Sequence, residues 1–344
     1  MAAHDPADYL FFTPGIFHMD KVLIAPMTLA GLDGAFVQAL REAGFKLVYP
    51  NTGWQLSEDE LLKFLPGIKA SLAGSEPYTA RVLAANPQLR VIARVGVGYD
   101  AVDVEAATKH GCAVTIAPGT NEGSVAEHTF GLILGLAKNL VSQHLGVKGG
   151  GWPRGSTLPL RGRTLGIAGL GRIGKAVALR GAAFGMRLLA YDPVPDKAFA
   201  EHHHVALVPF ERLLAESDYL TLHLPVSAQS RYLINRNTLA QMKPTAFLIN
   251  TARGAVVNEA DLLEALRNNR LAGAGLDVFE EEPPGKHPLL ELDNVLLTPH
   301  AAGTDVQSRD DMALSAAKAI VSLSRGEWPA EKVVNPDVRA NYRW

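Results

Sequence analysis

The sequence predicts an α/β protein built from two domains, and three observations support that prediction. The chain has 344 residues, which is too many for one ordinary hydrophobic core. Short apolar runs alternate with helical patterns from about residue 21 onward, as in parallel strands joined by crossover helices. The alternation occurs in two series, one closing near Pro118 and one beginning at Thr164, so each series predicts its own sheet.

In the first series, apolar runs predict strands at Lys21–Ala25, Lys46–Tyr49, Ala70–Ala73, Val91–Arg94 and Ala113–Ile116. Helical patterns predict helices at Leu32–Ala43, Glu58–Leu65, Thr79–Ala85 and Val102–Lys109. A longer helical pattern then runs from Asn121, a candidate N-cap, to His144.

In the second series, strands are predicted at Thr164–Ala168, Arg187–Tyr191, Tyr219–Leu222, Ala246–Asn250, Ala274–Asp277 and Val295–Leu297. Helices are predicted at Ile173–Phe184, Pro209–Ala215, Asn237–Gln241, Glu259–Asn268 and, after Pro299, Val306–Ser324. Residues 1 to about 18 show no clear period, and we interpret them as a loosely packed arm.

The composition is that of a soluble globular protein, with 47% hydrophobic and 20% charged residues. The 33 basic and 35 acidic residues nearly cancel, so no long-range field favours nucleic acid or an anionic membrane as a partner. The single cysteine, Cys112, excludes an intrachain disulfide. The N-terminus, with Asp5 and Asp8, lacks the pattern of a signal peptide, and no segment has the length of a membrane span. We therefore expect a cytoplasmic protein.

A glycine-rich motif, Gly169-Leu170-Gly171-Arg172-Ile173-Gly174, opens the second series directly after its first predicted strand. In such a loop the first glycine permits a tight turn, the second lets the backbone approach a pyrophosphate, and the third lets helix and strand pack closely. The following helix N-terminus, at Arg172 and Ile173, offers free N–H groups to phosphate.

The predicted strand after this motif ends at Asp192, eighteen positions beyond Gly174. A carboxylate there can accept hydrogen bonds from the ribose hydroxyls of an adenosine and would repel a 2′-phosphate. A strand, a glycine loop, a helix and an acid in this register predict a dinucleotide site that prefers NAD to NADP.

Charged residues follow three further strands of the second series: Arg253, Asp277 with Glu282, and His300. The carboxyl ends of strands border the ligand crevice in open parallel sheets, so these side chains are predicted to lie beside the cofactor. A 2-hydroxy acid needs this set of groups. Arginine binds its carboxylate, a histidine exchanges the hydroxyl proton, and a carboxylate favours the protonated histidine.

With these residues in place, the chain resembles the D-isomer-specific 2-hydroxyacid dehydrogenases, and within them the D-3-phosphoglycerate dehydrogenase branch. The resemblance lies in Ile92–Asp103, Asn121–Glu127, Thr164–Gly174, Asn250–Gly254, Gly273–Pro283 and Thr298–His300. It implies a Rossmann-type NAD-binding domain, residues 119–302, inserted in a flavodoxin-like substrate domain of residues 1–118 and 303–344. It also implies a homodimer.

The resemblance further implies individual roles. Arg253 would bind the substrate, His300 would be the general acid and base, and Glu282 would be its partner. Asp277, Thr251 and Pro225 would contact the cofactor. Gly74 and the backbone N–H groups of Val97 and Gly98 would bind the substrate from the first domain.

The substrate is left open at this stage. Family members reduce glyoxylate, hydroxypyruvate, pyruvate and bulkier 2-oxo acids. Arg94 could bind a substrate phosphate, or it could be a strand-end arginine in a salt bridge. Phosphite oxidation and a corepressor-like, NAD-binding interaction protein are the alternatives. The chain ends about forty residues after His300, so we expect no C-terminal regulatory domain.

Two features are interpreted as structural. Three consecutive histidines, His202-His203-His204, cannot all face one ion, and no partner ligand is suitably spaced, so no metal site is predicted. Cys112 lies before a predicted strand and is interpreted as a small packed residue.

Overall fold

The computed structural model describes residues 19–50 and 52–344, so the predicted arm of residues 1–18 lies outside the described part of the chain. The described chain divides into two compact units. One unit contains the residues up to Ile116 together with Ala313–Trp344, and the other is Ala117–Met312. Among the described residues, no helix is both long and apolar enough to cross a membrane.

The first unit is built on a parallel five-stranded sheet. Its strands are β1 (Lys21–Ile24), β2 (Lys46–Val48), β3 (Ile68–Ala73), β4 (Val91–Arg94) and β5 (Ala113–Thr115). Its first helices are α1 (Ala35–Glu42), α2 (Glu58–Phe64), α3 (Ala80–Ala85) and α4 (Val104–Lys109). The strand order β2-β1-β3-β4-β5 is that of flavodoxin-like sheets, as predicted for this part of the chain.

The second unit is built on a parallel seven-stranded sheet of order β12-β11-β10-β9-β6-β7-β8. Its strands are β6 (Thr164–Ala168), β7 (Arg187–Tyr191), β8 (Ala206–Leu207), β9 (Tyr219–Leu222), β10 (Phe247–Asn250), β11 (Gly273–Leu276) and β12 (Val295–Leu297). Its helices are α5 (Glu122–Ala137), α6 (Leu140–Lys148), α7 (Arg172–Ala183), α8 (Lys197–His202), α9 (Phe210–Glu216), α10 (Arg236–Leu239) and α11 (Glu259–Arg267). Central strands such as β6 are buried along their whole length, as expected for a parallel sheet covered on both faces.

The structure departs from the predicted elements between the two series. The predicted continuous helix from Asn121 to His144 is two helices, because Asn139 adopts a left-handed conformation with φ 51° between them. Asn121 occupies the N-cap position of α5, but its side chain makes no capping hydrogen bond. The sequence prediction also missed α8 and β8; the strand β8 has only two residues, which is too short to show a period.

The last helix, α12 (Val306–Ser324), begins in the second unit and ends in the first. Its C-terminal part contributes Ala313, Ala316 and Ile320 to the core of the first unit, where they pack with Val22 and Ile24 of β1. The N-terminal sheet is therefore covered on this face by residues from the other end of the chain.

The C-terminal tail is joined to the first sheet by backbone hydrogen bonds and by a buried amide, Asn335, which is 5% exposed. Its Oδ1 accepts the N–H of Val114 at 2.9 Å, and its Nδ2 donates to the carbonyl of Cys112 and to Thr108 Oγ1, both at 3.0 Å. One side chain thus satisfies three polar groups beside the edge strand β5.

Replacing Asn335 by alanine should lower the free energy of unfolding of the first unit by about 2–4 kcal/mol, because each buried group left without a partner costs about 1–3 kcal/mol. Urea denaturation followed by far-ultraviolet circular dichroism measures the change. Asp337→Asn, an exposed change two residues further on, is the matched control. Equal midpoints for the two variants would contradict the proposed contribution of this amide.

Candidate active site

The predicted site residues of the second unit follow the carboxyl ends of its strands along one edge of the sheet. Asp192 follows β7, and His300 lies three residues after β12. These two strands are five positions apart in the sheet, so at about 4.8 Å per strand the edge between them is about 24 Å long. The arrangement is an elongated site with the glycine loop after β6 near one end.

The glycine loop has the geometry that a bound pyrophosphate requires. Gly169 has φ 97°, and a Cβ there would lie 2.5 Å from the carbonyl oxygen of His223. A Cβ on Gly174 would lie 2.0 Å from the carbonyl oxygen of Gly169, so both outer glycines are required by packing. A Cβ on Gly171 would contact nothing within 4 Å. The middle glycine therefore borders open space at the N-terminus of α7, where phosphate binding is favoured.

Asp192 is joined to this loop by a hydrogen bond. Its Oδ2 accepts the N–H of Leu170 at 2.7 Å, and its Oδ1 accepts the N–H of Val194 at 2.8 Å. Each carboxylate oxygen has a further lone pair, so the group can still accept bonds from a ribose. Asp192 therefore holds the glycine loop in place through the N–H of Leu170.

His300 and Glu282 form a hydrogen-bonded pair, with His300 Nδ1 at 2.6 Å from Glu282 Oε2. The other carboxylate oxygen accepts the N–H of Phe279 at 3.0 Å. Burial acts to raise the pKa of Glu282, but the hydrogen bond and charge of His300, with smaller effects of Phe279 and Arg253, hold that pKa below its ordinary value. The side chains are 44% and 33% exposed, so the pair is accessible from solvent.

A buried carboxylate, Asp277, holds the segment that carries His300. Asp277 is fully buried, and it accepts hydrogen bonds from Thr298 Oγ1 at 2.6 Å and from the N–H groups of Ala301 and Ala302 at 2.8 and 2.9 Å. Its own carbonyl accepts the N–H of His300 at 2.7 Å. Asp277 thus positions the histidine loop, and its implied contact with the cofactor stays a prediction.

His128 completes this network and was missed by the sequence analysis. Its Nε2 lies 2.9 Å from Thr298 Oγ1 and 3.5 Å from Asp277 Oδ1. Because Thr298 donates its proton to Asp277, its oxygen accepts one from His128. The sequence signal was a polar residue within the apolar helix α5, and the partner lies 170 positions away.

The remaining predicted residues of the second unit also lie at this sheet edge. Arg253 is half-buried, and its Nη1 donates to the carbonyl of Ala252 at 2.7 Å. Thr251 is buried, with its hydroxyl 3.1 Å from that of Thr129. Pro225 follows β9 and is exposed.

The predicted substrate residues of the first unit form a group of their own. Gly74 directly follows β3, and Arg94 is the last residue of β4. The Nε of Arg94 donates to the carbonyl of Gly98 at 2.8 Å, which closes the turn that contains Val97. These backbone groups lie at the carboxyl edge of the first sheet.

Cys112 and the three consecutive histidines are the two features that the sequence analysis interpreted as structural. Cys112 is fully buried, and burial raises its pKa to about 12, so the thiol stays protonated and unreactive. His202 is the last residue of α8, and His204 has φ 54°. Within residues 19–50 and 52–344, no group of three or more His, Cys, Asp or Glu is placed to hold a metal ion.

Comparison with known proteins agrees with this geometry. Residues 130–302 match the family described as D-isomer specific 2-hydroxyacid dehydrogenase, NAD binding domain. The chain is 43% identical over 272 residues to a glyoxylate reductase of Korarchaeum cryptofilum, covering 77% of this chain and 81% of that protein. It is 39% identical over 320 residues to a D-3-phosphoglycerate dehydrogenase of Archaeoglobus fulgidus, covering 92% of this chain but only 59% of that protein.

The chain is also similar to solved protein structures over most of its length. The TT0316 protein of Thermus thermophilus matches with a TM-score of 0.83 and 36% identity, covering 92% of this chain and 100% of that chain. The D-lactate dehydrogenase of Aquifex aeolicus, solved with NAD and lactic acid, matches with a TM-score of 0.79 and 30% identity, covering 92% and 99% of the two chains.

The two parallel sheets and the glycine loop define an α/β protein of the dinucleotide-binding class. The chain belongs to the D-isomer-specific 2-hydroxyacid dehydrogenase family, whose members act on CH–OH groups. The resemblance, the enzyme class and the NAD cofactor predicted from the sequence are confirmed.

Replacing Asp192 by alanine should weaken NADH binding about 10- to 100-fold, because a hydrogen bond to a charged group contributes about 1.5–3 kcal/mol. Asp192→Asn keeps the shape but removes the charge, so it should narrow the preference for NADH over NADPH. Fluorescence titration of both nucleotides measures the dissociation constants. A wild-type protein that binds NADPH more tightly than NADH would contradict the assignment of Asp192.

Proposed function

We propose that this protein interconverts a small 2-oxo acid and the corresponding D-2-hydroxy acid, with NADH and NAD as the redox partners. The observation that supports this most directly is the His300–Glu282 pair at the sheet edge that also carries the glycine loop. A histidine held by a carboxylate can exchange a proton near neutral pH, which the reaction requires at the substrate oxygen.

In the reduction, the 2-oxo acid gains a hydride at C2 and a proton at the carbonyl oxygen. NADH, when bound, supplies the hydride. Glu282 accepts a hydrogen bond from His300 Nδ1, which leaves Nε2 as the atom that donates the proton to the carbonyl oxygen. In the oxidation, neutral His300 accepts the hydroxyl proton instead.

The carboxylate of the acid requires a cation, and Arg253 is the candidate in the second unit. A guanidinium binds a carboxylate through two parallel N–H groups, which orients the acid as well as attracting it. Gly254 next to it can carry no side chain, because a Cβ would lie 1.8 Å from the carbonyl carbon of Phe279. The backbone at Arg253 is therefore tightly constrained, as positioning of a substrate requires.

The names of the relatives suggest glyoxylate and 3-phosphohydroxypyruvate as candidate acids, and the family resemblance adds hydroxypyruvate. Glyoxylate reductases and D-3-phosphoglycerate dehydrogenases both lie among the relatives of 36–43% identity. The fold is common to all of them, so the choice depends on the groups that face the part of the acid beyond C2.

Replacing His300 by alanine should lower the reduction rate by about 10²–10⁴-fold, the usual contribution of a positioned acid or base. In Glu282→Gln the protonated histidine loses a stabilising charge. The alkaline fall of the reduction rate should therefore move to lower pH, and oxidation should persist to lower pH than in the wild type. Steady-state rates from about pH 5 to 10 measure both.

NADH binding should survive in both variants, because the glycine loop is a separate structure. Glu281→Gln removes a neighbouring exposed carboxylate and is the control, with an unchanged pH profile. A His300→Ala protein that reduces the acid at the wild-type rate would contradict the mechanism. A Glu282→Gln protein whose pH–rate profile is that of the wild type would contradict it as well.

We also propose that the protein is a homodimer that buries helix α6. None of the residues of α6 is buried, although several of them are large and apolar. The exposed fractions of Leu140, Val141, Leu145 and Val147 are 48–61%. Trp152 follows in the next segment and is 70% exposed. An exposed apolar helix of this kind marks a protein–protein contact, and a second copy of the chain is the partner that the family resemblance implies.

A Val141→Glu, Leu145→Glu double variant should shift the protein from dimer to monomer, because two charges would be buried at the contact. Light scattering after size-exclusion chromatography measures the mass. Ser142→Glu and His144→Glu add the same charges at polar positions of the helix and test whether charge alone is responsible. A wild-type monomer would exclude the dimer.

A further inference from the structure

Glu282, the partner of His300, lies on a loop of the second unit, residues 280–287, which we call the Glu282 loop. No helix or strand of the described chain lies within this loop, so its conformation depends on the contacts that it makes with the rest of the unit. Its two ends are Glu280 and His287. Both contact one buried carboxylate, that of Glu259.

The beginning of the loop is anchored to the first residue of α11, Glu259, by two reciprocal hydrogen bonds. Glu259 is 6% exposed, and its Oε1 accepts the N–H of Glu280 at 2.7 Å. In return, Glu280 Oε1 accepts the N–H of Glu259 at 2.8 Å, and Glu280 Oε2 accepts the hydroxyl of Tyr232 at 2.8 Å. The backbone nitrogen of Glu280 also packs against Gly254 so closely that a Cβ there would overlap it. This end of the loop is therefore fixed.

The other carboxylate oxygen of Glu259 contacts the far end of the loop, where its Oε2 lies 3.4 Å from His287 Nε2. His287 Nδ1 accepts the N–H of Leu289 at 3.3 Å, at the start of the short helical turn Pro288–Glu291. A neutral ring with an accepting Nδ1 carries its proton on Nε2, which faces the carboxylate. The contact is therefore attractive whether His287 is neutral or protonated.

The acids at this place repel one another. Burial raises the pKa of Glu259, whereas the backbone N–H of Glu280 and the charge of His287 oppose the rise. The carboxylates of Glu280 and Glu282 raise it further. The repulsion between the acids would therefore push the loop away from α11, and the backbone N–H groups and His287 hold it there.

The contact between Glu282 and His300 joins two separate segments, one after β11 and one after β12. The distance of 2.6 Å between Glu282 Oε2 and His300 Nδ1 is kept only if both segments are held, because a hydrogen bond weakens steeply when its geometry is lost. Asp277 holds the histidine segment through the N–H groups of Ala301 and its neighbour. Glu259 is the group that holds the other segment at both ends.

We propose that Glu259 is a positioning residue of the site, which closes the Glu282 loop at both ends and so keeps Glu282 in contact with His300. The proposal rests on the proposed function for the chemistry of that pair. The contact itself can be measured without turnover, because Glu282 stabilises the protonated form of His300. A looser contact therefore lowers the pH at which His300 titrates.

Glu259→Ala removes both anchors of the loop. The midpoint of the His300 titration should move to lower pH by about 0.5–1 unit, because a close opposite charge shifts a pKa by about 1–3 units and here the contact is loosened. NMR of the full chain with isotope-labelled histidine measures the midpoint, and the signal is assigned by its absence from His300→Ala. The alkaline fall of the reduction rate should move with it. Glu259→Gln removes the same charge but keeps an acceptor for the N–H of Glu280, so it should move the midpoint less.

His287→Ala releases only the second anchor, and there the effects of contact and charge have opposite signs. Loss of a positive charge would by itself favour protonated His300 and raise the midpoint. Loss of the anchor should lower it, by less than Glu259→Ala does. Glu264→Ala removes an exposed carboxylate from the same helix as Glu259 and is the control, with an unchanged midpoint.

In a Glu282→Gln protein, adding Glu259→Ala should move the midpoint little further, because the charge that the loop presents to His300 is already absent. An equal movement in that background would overturn the proposal, and so would equal movements by Glu259→Ala and Glu259→Gln. A wild-type midpoint in folded Glu259→Ala would overturn it as well. If that variant does not fold, His287→Ala decides, since the side chain of His287 is 28% exposed. Reduction of none of the candidate acids would overturn the proposed function, and the NMR midpoints would still decide whether Glu259 positions Glu282.

Discussion

The buried carboxylate of Asp277 is the interaction on which the geometry of the candidate site depends. It accepts hydrogen bonds from Thr298, Ala301 and Ala302, which lie before and after His300 in the chain. His300 itself has φ 53°, a conformation that costs a non-glycine residue about 1–3 kcal/mol. The bonds to Asp277 hold the backbone there, and the side chain then reaches Glu282.

At each end of the carboxyl edge of the second sheet, a main-chain N–H group binds an acidic side chain. The N–H of Leu170 binds Asp192 at one end, and the N–H of Phe279 binds Glu282 at the other. The contact between Leu170 and Asp192 joins the segments that leave the neighbouring strands β6 and β7, whereas Phe279 and Glu282 lie on one segment, after β11. The acids are thereby fixed before any ligand binds, which is the preorganisation that binding and catalysis require.

At the edge of the first sheet a main-chain group also binds an acid on its own segment. Glu76 binds the N–H of Gly74 and lies beside a segment braced by Arg94, so an internal pair of opposite charges occupies that edge. The two sheets therefore differ in the charged side chains that follow their strands. The second carries a histidine and carboxylate pair that can exchange a proton, and the first carries a pair that balances charge.

Much of the fold was predictable because parallel strands are short continuous apolar runs. The strands β4, β6, β7 and β12 have the bounds that the sequence predicts. The break at Asn139 was not predictable, because the helical pattern continues through it. The strand β8 was missed because its two residues are too few to show a period.

The sequence by itself determined that the glycine loop, Asp192, Arg253, Glu282 and His300 follow strands of the second sheet, because the strands are recognisable as apolar runs, and the roles of these residues stay predictions. Only the tertiary structure decided the partners of Asp277 and Glu76. Asp277 contacts His128 on a helix far away in sequence, and the charge of Arg94, at the end of the neighbouring strand, acts on Glu76. Residue type shows what a side chain can do, whereas the charge or proton that it meets depends on which strands become neighbours when the chain folds.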